Sequence, residues 1–254
     1  IGVLYLDSRE KATLLSDATR PGHDTLAAEA SVAIENARLY REKPEKSRME
    51  QEMRIAAEIQ QALLPKPRAS LGFVEAAAAS IPCRSIGGDF FDYLDEPGST
   101  FGFTLGDVAG KGPPAALMSA LMQGMSAPPA MLPDGPATPV ASMNKALCRR
   151  GLESRFVTLM FGIVGADGQL TYCNAGHNPP LVIGKRGLRH LEAGGPVVGL
   201  LEFAPYGQET VRLEPGDTII VFSDGVSEAL STSGEEFGDA RLQAIAEATG
   251  EATA

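Results

Sequence analysis

The sequence contains few of the residues that build disulfide frameworks or thiolate metal sites. Its three cysteines, Cys83, Cys148 and Cys173, are odd in number, far apart and never in a CxxC arrangement. Such a set argues against both a disulfide framework and a zinc site, and it fits a reducing, cytoplasmic location. The three thiols are therefore expected to be ordinary core residues.

Positive charge is in deficit, since 22 lysines and arginines face 32 aspartates and glutamates, for a formal net charge of -10. This balance argues against general binding of nucleic acid or anionic membranes, because both partners require a basic face. No apolar run approaches the about 18 residues of a membrane span, and no signal peptide is recognisable. The hydrophobic fraction of 44% and the 254 residues allow one large domain, alone or with pieces of others.

Several catalytic motifs are also absent. The sequence has neither a GxSxG serine-hydrolase elbow nor an HExxH zinc-protease helix. Residues 106–112, GDVAGKG, are not a Walker A loop, because three residues instead of four separate Gly106 from Gly110 and a glycine follows Lys111. His177, within NAGHNPP, is expected to be a hydrogen-bonded turn residue rather than a proton-transfer group.

Three aspartates remain, and each follows an apolar run next to glycine. Asp89 follows SIGG, Asp107 follows FGFTLG, where the strand is expected to break, and Asp224 follows IIVFS. Carboxylates that converge from strand ends suit a hard cation such as Mg²⁺ or Mn²⁺, whereas without cations they repel and raise their own pKa values. Two such ions ~3.5–4 Å apart acidify a water and neutralise a phosphoryl group. Asp92 is either a residue that orients metal-bound water or a solvated side chain.

Runs of strands with helices grouped between them predict an α+β fold with antiparallel sheets. Residues 126–139, rich in Pro and Ala, are expected to form a mobile loop. Strands are predicted at 74–80, 90–94, 101–105, 156–164, 170–174, 180–183, 211–213 and 218–222, and helices at 114–125, 139–150 and 240–248.

The N-terminal part reads as a strand at 1–7, a loop at 8–24 and a helix at 25–40. A charged segment at 41–64 is helix-forming after Pro44, and Pro65 and Pro67 stop it. Residues 1–40 are either an arm packed on the main domain or the tail of an upstream domain. Because the chain begins at Ile1 within a strand, a piece of a longer protein is expected. The second helix is either a surface helix or a short coiled-coil dimer, through an apolar stripe of Met49, Met53, Ala56, Ile59 and Leu63.

Two resemblances to known families rest on these motifs. IGVLYLD followed by LAAEASVAIENARLYRE resembles the last strand and C-terminal helix of a GAF sensor domain. IGGDFFD, LGDVAGKG, NAGHNPP, and FSDGVSEA followed by FGDARL resemble, in the same order, the PPM (type 2C) metal-dependent serine/threonine phosphatases, in the bacterial branch typified by sporulation stage II protein E. The resemblances divide the chain into a GAF-like remnant at 1–42, a helical linker at 43–66 and a phosphatase domain at 67–254.

The phosphatase resemblance implies a sandwich of two antiparallel β-sheets flanked by helices, with a pair of Mn²⁺ or Mg²⁺ ions at one end. It implies that Asp89, Asp107 and Asp224 bind metal, that Asp107 bridges the two ions, and that the Val108 carbonyl binds the second. Catalysis would then proceed through metal-activated water without a protein nucleophile. The branch also has a last strand with a further aspartate, in a DD-x-T-type segment that this sequence lacks, so weak metal binding and weak activity are expected.

The resemblance further implies a phosphoserine or phosphothreonine substrate on an anti-anti-sigma-type protein, with a homodimer formed through the linker helix. An alternative from another class is a non-catalytic dimeric signalling module whose metal site is structural or vestigial. A third hypothesis, metal-dependent hydrolysis of nucleic acid, is disfavoured by the acidic charge.

Overall fold

A computed structural model describes residues 16, 19–66, 68–70, 72–82, 85–96, 100–126, 133–151 and 155–252. The chain divides into two compact units, Ile1–Ile55 and Ala56–Ala254. In the first unit the described residues are mostly helical, and they belong to a helix, α1, that runs over Arg20–Leu63. No helix among the described residues combines the length and apolar character needed to cross a bilayer.

The second unit contains all of the strands that the structure describes. Its helices after α1 are α2 (Pro113–Met125), α3 (Ala137–Arg149), α4 (Asp224–Ser227) and α5 (Asp239–Ala252). Its strands are β1 (Arg68–Ser70), β2 (Glu75–Ala77), β3 (Phe90–Glu96), β4 (Thr100–Val108), β5 (Val157–Gly165), β6 (Gln169–Ala175), β7 (Leu181–Gly184), β8 (Gly187–His190), β9 (Gly194–Gly195), β10 (Glu209–Arg212) and β11 (Thr218–Ile220).

The strands form one large sheet, one small sheet and a hairpin. The large sheet has the order β10-β6-β5-β4-β3, with β9 added beside β6, and the small sheet has the order β11-β7-β8. All pairings are antiparallel except that of β6 with β9. β1 and β2 form the separate hairpin.

The large sheet is buried on both faces, and its alternating side chains divide between two clusters. One face packs against helices α2 and α3, through residues that include Phe90, Val108, Leu159, Met118 and Met143. The other face packs against the small sheet, through Met160, Val164, Leu170, Tyr172 and Val182. Helix α5 covers the outer face of the small sheet, where Leu181, Ile183, Phe222 and Ala246 are buried. The predicted α+β sandwich of two sheets flanked by helices is therefore confirmed.

The expected strand break at Gly106-Asp107 is wrong. β4 continues to Val108, and Asp107 is paired in register with Thr158 of β5. Gly106 is required for packing, because a Cβ there would lie 2.5 Å from the ring of Phe90 on the neighbouring strand. The glycine therefore makes room for an aromatic ring in the sheet and does not end the strand.

The N-terminal predictions hold only in part. The helix begins at Arg20, within the expected loop at 8–24, and it continues without interruption through Pro44 to Leu63, so the two predicted helices are one. The strand predicted at 1–7 lies outside the described residues, as do residues 127–132 of the loop predicted at 126–139. Strands β1, β8 and β9 and the one-turn helix α4 were not expected from the sequence.

Candidate metal and phosphoryl-transfer site

The two aspartates of the large sheet lie directly opposite each other. Phe90 of β3 pairs with Gly106 of β4, and continuing this antiparallel register by one residue places Asp89 opposite Asp107. On the other side of β4, Asp107 pairs with Thr158 of β5. These three residues form a row across the end of the sheet, on the face that packs against the small sheet.

Gly88 brings the segment before β3 against the end of β4. A Cβ at this position would lie 2.8 Å from the Val108 carbonyl oxygen and 3.4 Å from Asp107 Oδ1. Only a residue without a side chain permits so close an approach of two backbones. The second glycine of IGGD therefore keeps Asp89, Asp107 and the Val108 carbonyl in one place.

The third aspartate, Asp224, lies just after the last strand of the small sheet. After β11 the chain runs to Ser223, the residue that precedes helix α4, and Asp224 is the first residue of that helix. Ser223 Oγ donates a hydrogen bond of 2.9 Å to Asp89 Oδ2. This bond joins the segment that follows the small sheet to Asp89 of the row, and Asp224 is the next residue along that segment.

The carboxyl group of Asp107 lies in an environment that opposes its ionisation. Burial, a hydrogen bond with Asp89, and the negative charges of Asp89, Asp224 and Glu228 together raise the pKa of Asp107 from 3.8 to about 7. Desolvation and like charge both disfavour the carboxylate form. The repulsion predicted from the sequence is therefore present at Asp107, and this end of the sandwich is a negative pocket.

His177 is buried next to the row, with 5% of its surface exposed. Its backbone N–H donates to Asn174 Oδ1 at 2.8 Å and its carbonyl accepts from Asn174 Nδ2 at 3.1 Å, so it is the hydrogen-bonded turn residue that the sequence predicted. Its ring also contacts the row, because Nδ1 lies 2.8 Å from Thr158 Oγ1. Burial lowers the pKa of His177 to about 4, although the Asp89 carboxylate and the Phe222 carbonyl act in the opposite direction.

The end of helix α1 that belongs to the second unit is bound to the segment before Asp89. Gln60 Nε2 donates to the Gly87 carbonyl at 2.8 Å and to Ser119 Oγ of α2 at 3.1 Å. The Gly87 N–H donates back to Gln60 Oε1 at 3.1 Å. Gln123 of α2 donates to the Leu63 carbonyl at 2.7 Å. Gln60 therefore binds both the N–H and the carbonyl of Gly87, which lies two residues before Asp89.

The donor set suits a hard divalent cation. Carboxylate oxygens and a backbone carbonyl are the ligands that Mg²⁺ and Mn²⁺ prefer, and a cation relieves the repulsion that raises the pKa of Asp107. In the described part of the chain, no group of three or more His, Cys, Asp or Glu side chains is close enough to form a finished ligand set. Asp89 and Asp107 are in contact, whereas Asp224 is exposed and acts on Asp107 through its charge.

Asp92 does not join the cluster. It alternates along β3 with Phe90 and Leu94, which face the helices, and is therefore on the opposite face from Asp89. Its Oδ1 accepts the N–H of Tyr93 at 2.9 Å. The hypothesis that Asp92 orients a water in the site is not supported by this position.

Sequence reasoning missed five residues that shape the site: Gln60, Thr158, the ring of His177, Ser223 and Glu228. Ser223, His177 and Glu228 lie within the motifs FSDGVSEA and NAGHNPP, which provide a signal for them. Thr158 and Gln60 lie outside those motifs, and only the register of β4 with β5 and the packing of α1 identify them. Of the cysteines within the described residues, Cys173 is a buried free thiol, as expected of a core residue, whereas Cys148 is a half-buried free thiol.

Comparison of the sequence with known proteins gives three results. The model of the family Stage II sporulation protein E (SpoIIE) matches residues 97–254. Phosphoserine phosphatase RsbU of Bacillus subtilis is 32% identical over 190 residues, which cover 72% of this chain and 55% of RsbU. Protein IcfG of Synechocystis is 28% identical over 220 residues, which cover 75% of this chain and 35% of IcfG. The chain thus spans about half of RsbU and about a third of IcfG.

Two solved structures that match this chain are PP2C domains. The SiaA-PP2C domain of Pseudomonas aeruginosa matches with a TM-score of 0.64 at 22% identity, over 79% of this chain and 82% of that domain. The PP2C phosphatase domain of SpoIIE from Bacillus subtilis matches with a TM-score of 0.53 at 17% identity, over 73% and 54% respectively. At these identities the likeness establishes the fold, which is that of the PP2C phosphatase domains.

Proposed function

The chain belongs to the Stage II sporulation protein E (SpoIIE) family, and we propose that it is a metal-dependent protein phosphatase that hydrolyses phosphoserine or phosphothreonine on a regulatory protein of the anti-anti-sigma type. The observation that carries the proposal is the cross-strand contact of Asp89 with Asp107 at the end of the sandwich. The name of the relative RsbU, a phosphoserine phosphatase, supports the reaction class.

In this proposal Asp89, Asp107, Asp224 and the Val108 carbonyl hold Mn²⁺ or Mg²⁺. Bound there, a pair of such cations lowers the pKa of water and stabilises charge on a phosphoryl group. The residues of this chain hold the ligands in place: Gly88 admits the Val108 carbonyl beside Asp107, and the Ser223 hydroxyl orients Asp89. The negative pocket also explains why a phosphate ester needs a cation here, because the carboxylates alone would repel it.

The test is hydrolysis of p-nitrophenyl phosphate and of a phosphoserine-bearing anti-anti-sigma protein, with Mn²⁺ and with chelator. We expect slow hydrolysis that requires Mn²⁺ and falls by about 100-fold or more in Asp107→Asn, the scale on which loss of a charge-stabilising group acts. Asp134→Asn is the matched control, because Asp134 is an exposed turn residue remote from the row. Hydrolysis that survives the chelator or the Asp107→Asn exchange contradicts the proposal.

The substrate protein is tested separately from the reaction. We expect the phosphorylated anti-anti-sigma protein to be dephosphorylated faster than a denatured sample of itself, because a folded partner presents its phosphoserine to the domain surface as well as to the aspartates. Equal rates for the folded and denatured substrate would limit the proposal to a phosphatase without this partner.

The alternative, a non-catalytic dimeric signalling module, is favoured by one observation: within the described residues no three ligand side chains form a finished metal site. The two proposals differ in metal binding. Titration calorimetry that detects Mn²⁺ binding to the chain but not to Asp107→Asn supports the phosphatase. A folded chain that neither binds Mn²⁺ nor hydrolyses either substrate supports the non-catalytic module.

A further inference from the structure

The ring of His177 has one nitrogen with a clear partner and one without. Nδ1 lies 2.8 Å from Thr158 Oγ1. Nε2 is fully buried and has no hydrogen-bond partner of good geometry among the described residues. A buried polar atom left unsatisfied costs about 1–3 kcal/mol, so a group in this position calls for an explanation.

The groups that act on the imidazole are acceptors. Both the Asp89 carboxylate and the Phe222 carbonyl favour the protonated ring, which places them within electrostatic reach of it. The Thr158 hydroxyl can either donate or accept. Because the Asp89 carboxylate and the Phe222 carbonyl are acceptors, the arrangement favours a proton on Nε2 and a lone pair on Nδ1 that accepts from the Thr158 hydroxyl.

Thr158, which the ring contacts, and Phe222, whose carbonyl it faces, belong to different parts of the site. Thr158 is the cross-strand neighbour of Asp107 in the large sheet. Phe222 immediately precedes Ser223, whose hydroxyl donates to Asp89 Oδ2. His177 therefore lies between the row of aspartates and the segment that brings Asp224 from the small sheet. Its backbone is fixed by Asn174, which places the start of the side chain beside the row.

We propose that His177, held through Nδ1 by the Thr158 hydroxyl, is an Nε2–H positioning residue that holds the 222–224 segment beside Asp107 for metal binding. The inference rests on the proposed function only because both assume that the same aspartates bind the metal. Residues outside the ligand set orient the groups that bind a metal, and loss of such a residue costs about 10- to 100-fold in metal affinity. His177 itself contacts no metal in this account.

The tautomer is read directly by long-range ¹H–¹⁵N NMR on the ¹⁵N-labelled, metal-free chain. The expected pattern for His177 at neutral pH is a protonated Nε2 and an unprotonated Nδ1. The spectrum contains three histidines, and the two others, His23 and His190, are identified by His23→Gln and His190→Gln. A protonated Nδ1 or a doubly protonated ring at His177 overturns the proposal, and this result needs no variant in the site.

Metal affinity tests the positioning role. Thr158→Val keeps the shape of the side chain but removes the donor to Nδ1, and we expect it to weaken Mn²⁺ binding in calorimetry by about 10- to 100-fold. Thr158→Ser restores the hydroxyl and is expected to restore most of the affinity. Thr171→Val is the matched control in the same sheet, because it removes the hydroxyl contact of Thr171 with Thr210, remote from the site, and should leave affinity unchanged.

The outcomes separate this inference from the proposed function. A chain that binds Mn²⁺ with the expected Thr158 pattern but hydrolyses no phosphoprotein retains the inference and loses the function. A chain that hydrolyses its substrate while Thr158→Val binds Mn²⁺ as tightly as Thr158→Ser retains the function and loses the inference. A folded chain that binds no Mn²⁺ overturns both.

Discussion

Gln60 forms two hydrogen bonds with Gly87, one to its carbonyl and one from its N–H. The glutamine lies in the last turns of helix α1, and the glycine lies two residues before Asp89. In the second unit, Ala56 and Gln60 of α1 are half-buried, while Ile59 and Leu63 of the predicted apolar stripe are exposed. The side-chain amide of Gln60 therefore links the part of α1 that belongs to the second unit to the segment before Asp89.

Gln60→Ala should destabilise the protein and weaken its metal site. Loss of two hydrogen bonds to a half-buried backbone is expected to lower the free energy of unfolding by about 1–3 kcal/mol, measured by urea denaturation. Mn²⁺ binding should weaken as well, because the segment before Asp89 loses its support. Gln61→Ala is the matched control, since Gln61 is the exposed neighbour on the same helix. Equal effects of the two exchanges would show that the amide of Gln60 is not the cause.

Gly88→Ala should impair the site while the protein remains folded. A methyl group there would lie 2.8 Å from the Val108 carbonyl oxygen, so the two backbones must move apart and carry Asp89 away from Asp107. We expect loss of Mn²⁺ binding in calorimetry with the circular dichroism spectrum unchanged. Gly87→Ala provides the comparison, because its methyl group would meet the Pro82 Cβ at 3.4 Å. Unaltered Mn²⁺ binding by Gly88→Ala would contradict the assigned role of this glycine.

Asp107→Asn should stabilise the metal-free protein at neutral and alkaline pH. The pKa of Asp107 is raised from 3.8 to about 7 by burial and by its acidic neighbours. Between these values the folded state binds more protons than the unfolded state, so the contribution of this group to stability falls as the pH rises towards about 7. The asparagine variant avoids that loss. Since Asp107 is only partly buried, we expect a gain of about 1–2 kcal/mol at pH 8, well below the full value of the shift.

The same pair of proteins should reverse its order when Mn²⁺ is present. If Asp107 binds the metal as proposed, Mn²⁺ should stabilise the folded wild type more than Asp107→Asn, which would lack a ligand. Thermal unfolding of wild type and Asp107→Asn at pH 8 and pH 4, each with and without Mn²⁺, gives the difference in stability between the two proteins under all four conditions. The metal-free advantage of the variant should vanish near pH 4, and a constant advantage at both pH values would show that Asp107 is not the titrating group.

The apolar stripe on α1 predicts association of two chains. Met49 is 66% exposed, Ile59 58% and Leu63 48%, all on a single helix. We expect light scattering to detect a dimer at high protein concentration that Met49→Lys weakens by placing charge in the helix pair. Gln51→Lys, also exposed on α1 and off the stripe, is the control. A monomer at all concentrations would refute the dimer.

Much of the site could be predicted before its geometry was known. The motifs around Asp89, Asp107 and Asp224 identified the acidic residues, because apolar runs that end in Gly and Asp are local patterns. The same local reasoning was wrong at Gly106, where it took a glycine for a strand break, since the ring of Phe90 that needs the space belongs to another strand. It also divided α1 at Pro44, although the helix is continuous.

The sequence by itself determined which residues are acidic, where most strands and helices lie, and that the fold is α+β. Only the tertiary structure decided that Asp89 faces Asp107 across two strands, that Asp92 points to the helices, and that Thr158 and Gln60 support the site. The physical reason is that strand register and helix packing depend on partners distant in the chain. Local propensity identifies an element, but hydrogen bonds between elements decide which side chains meet.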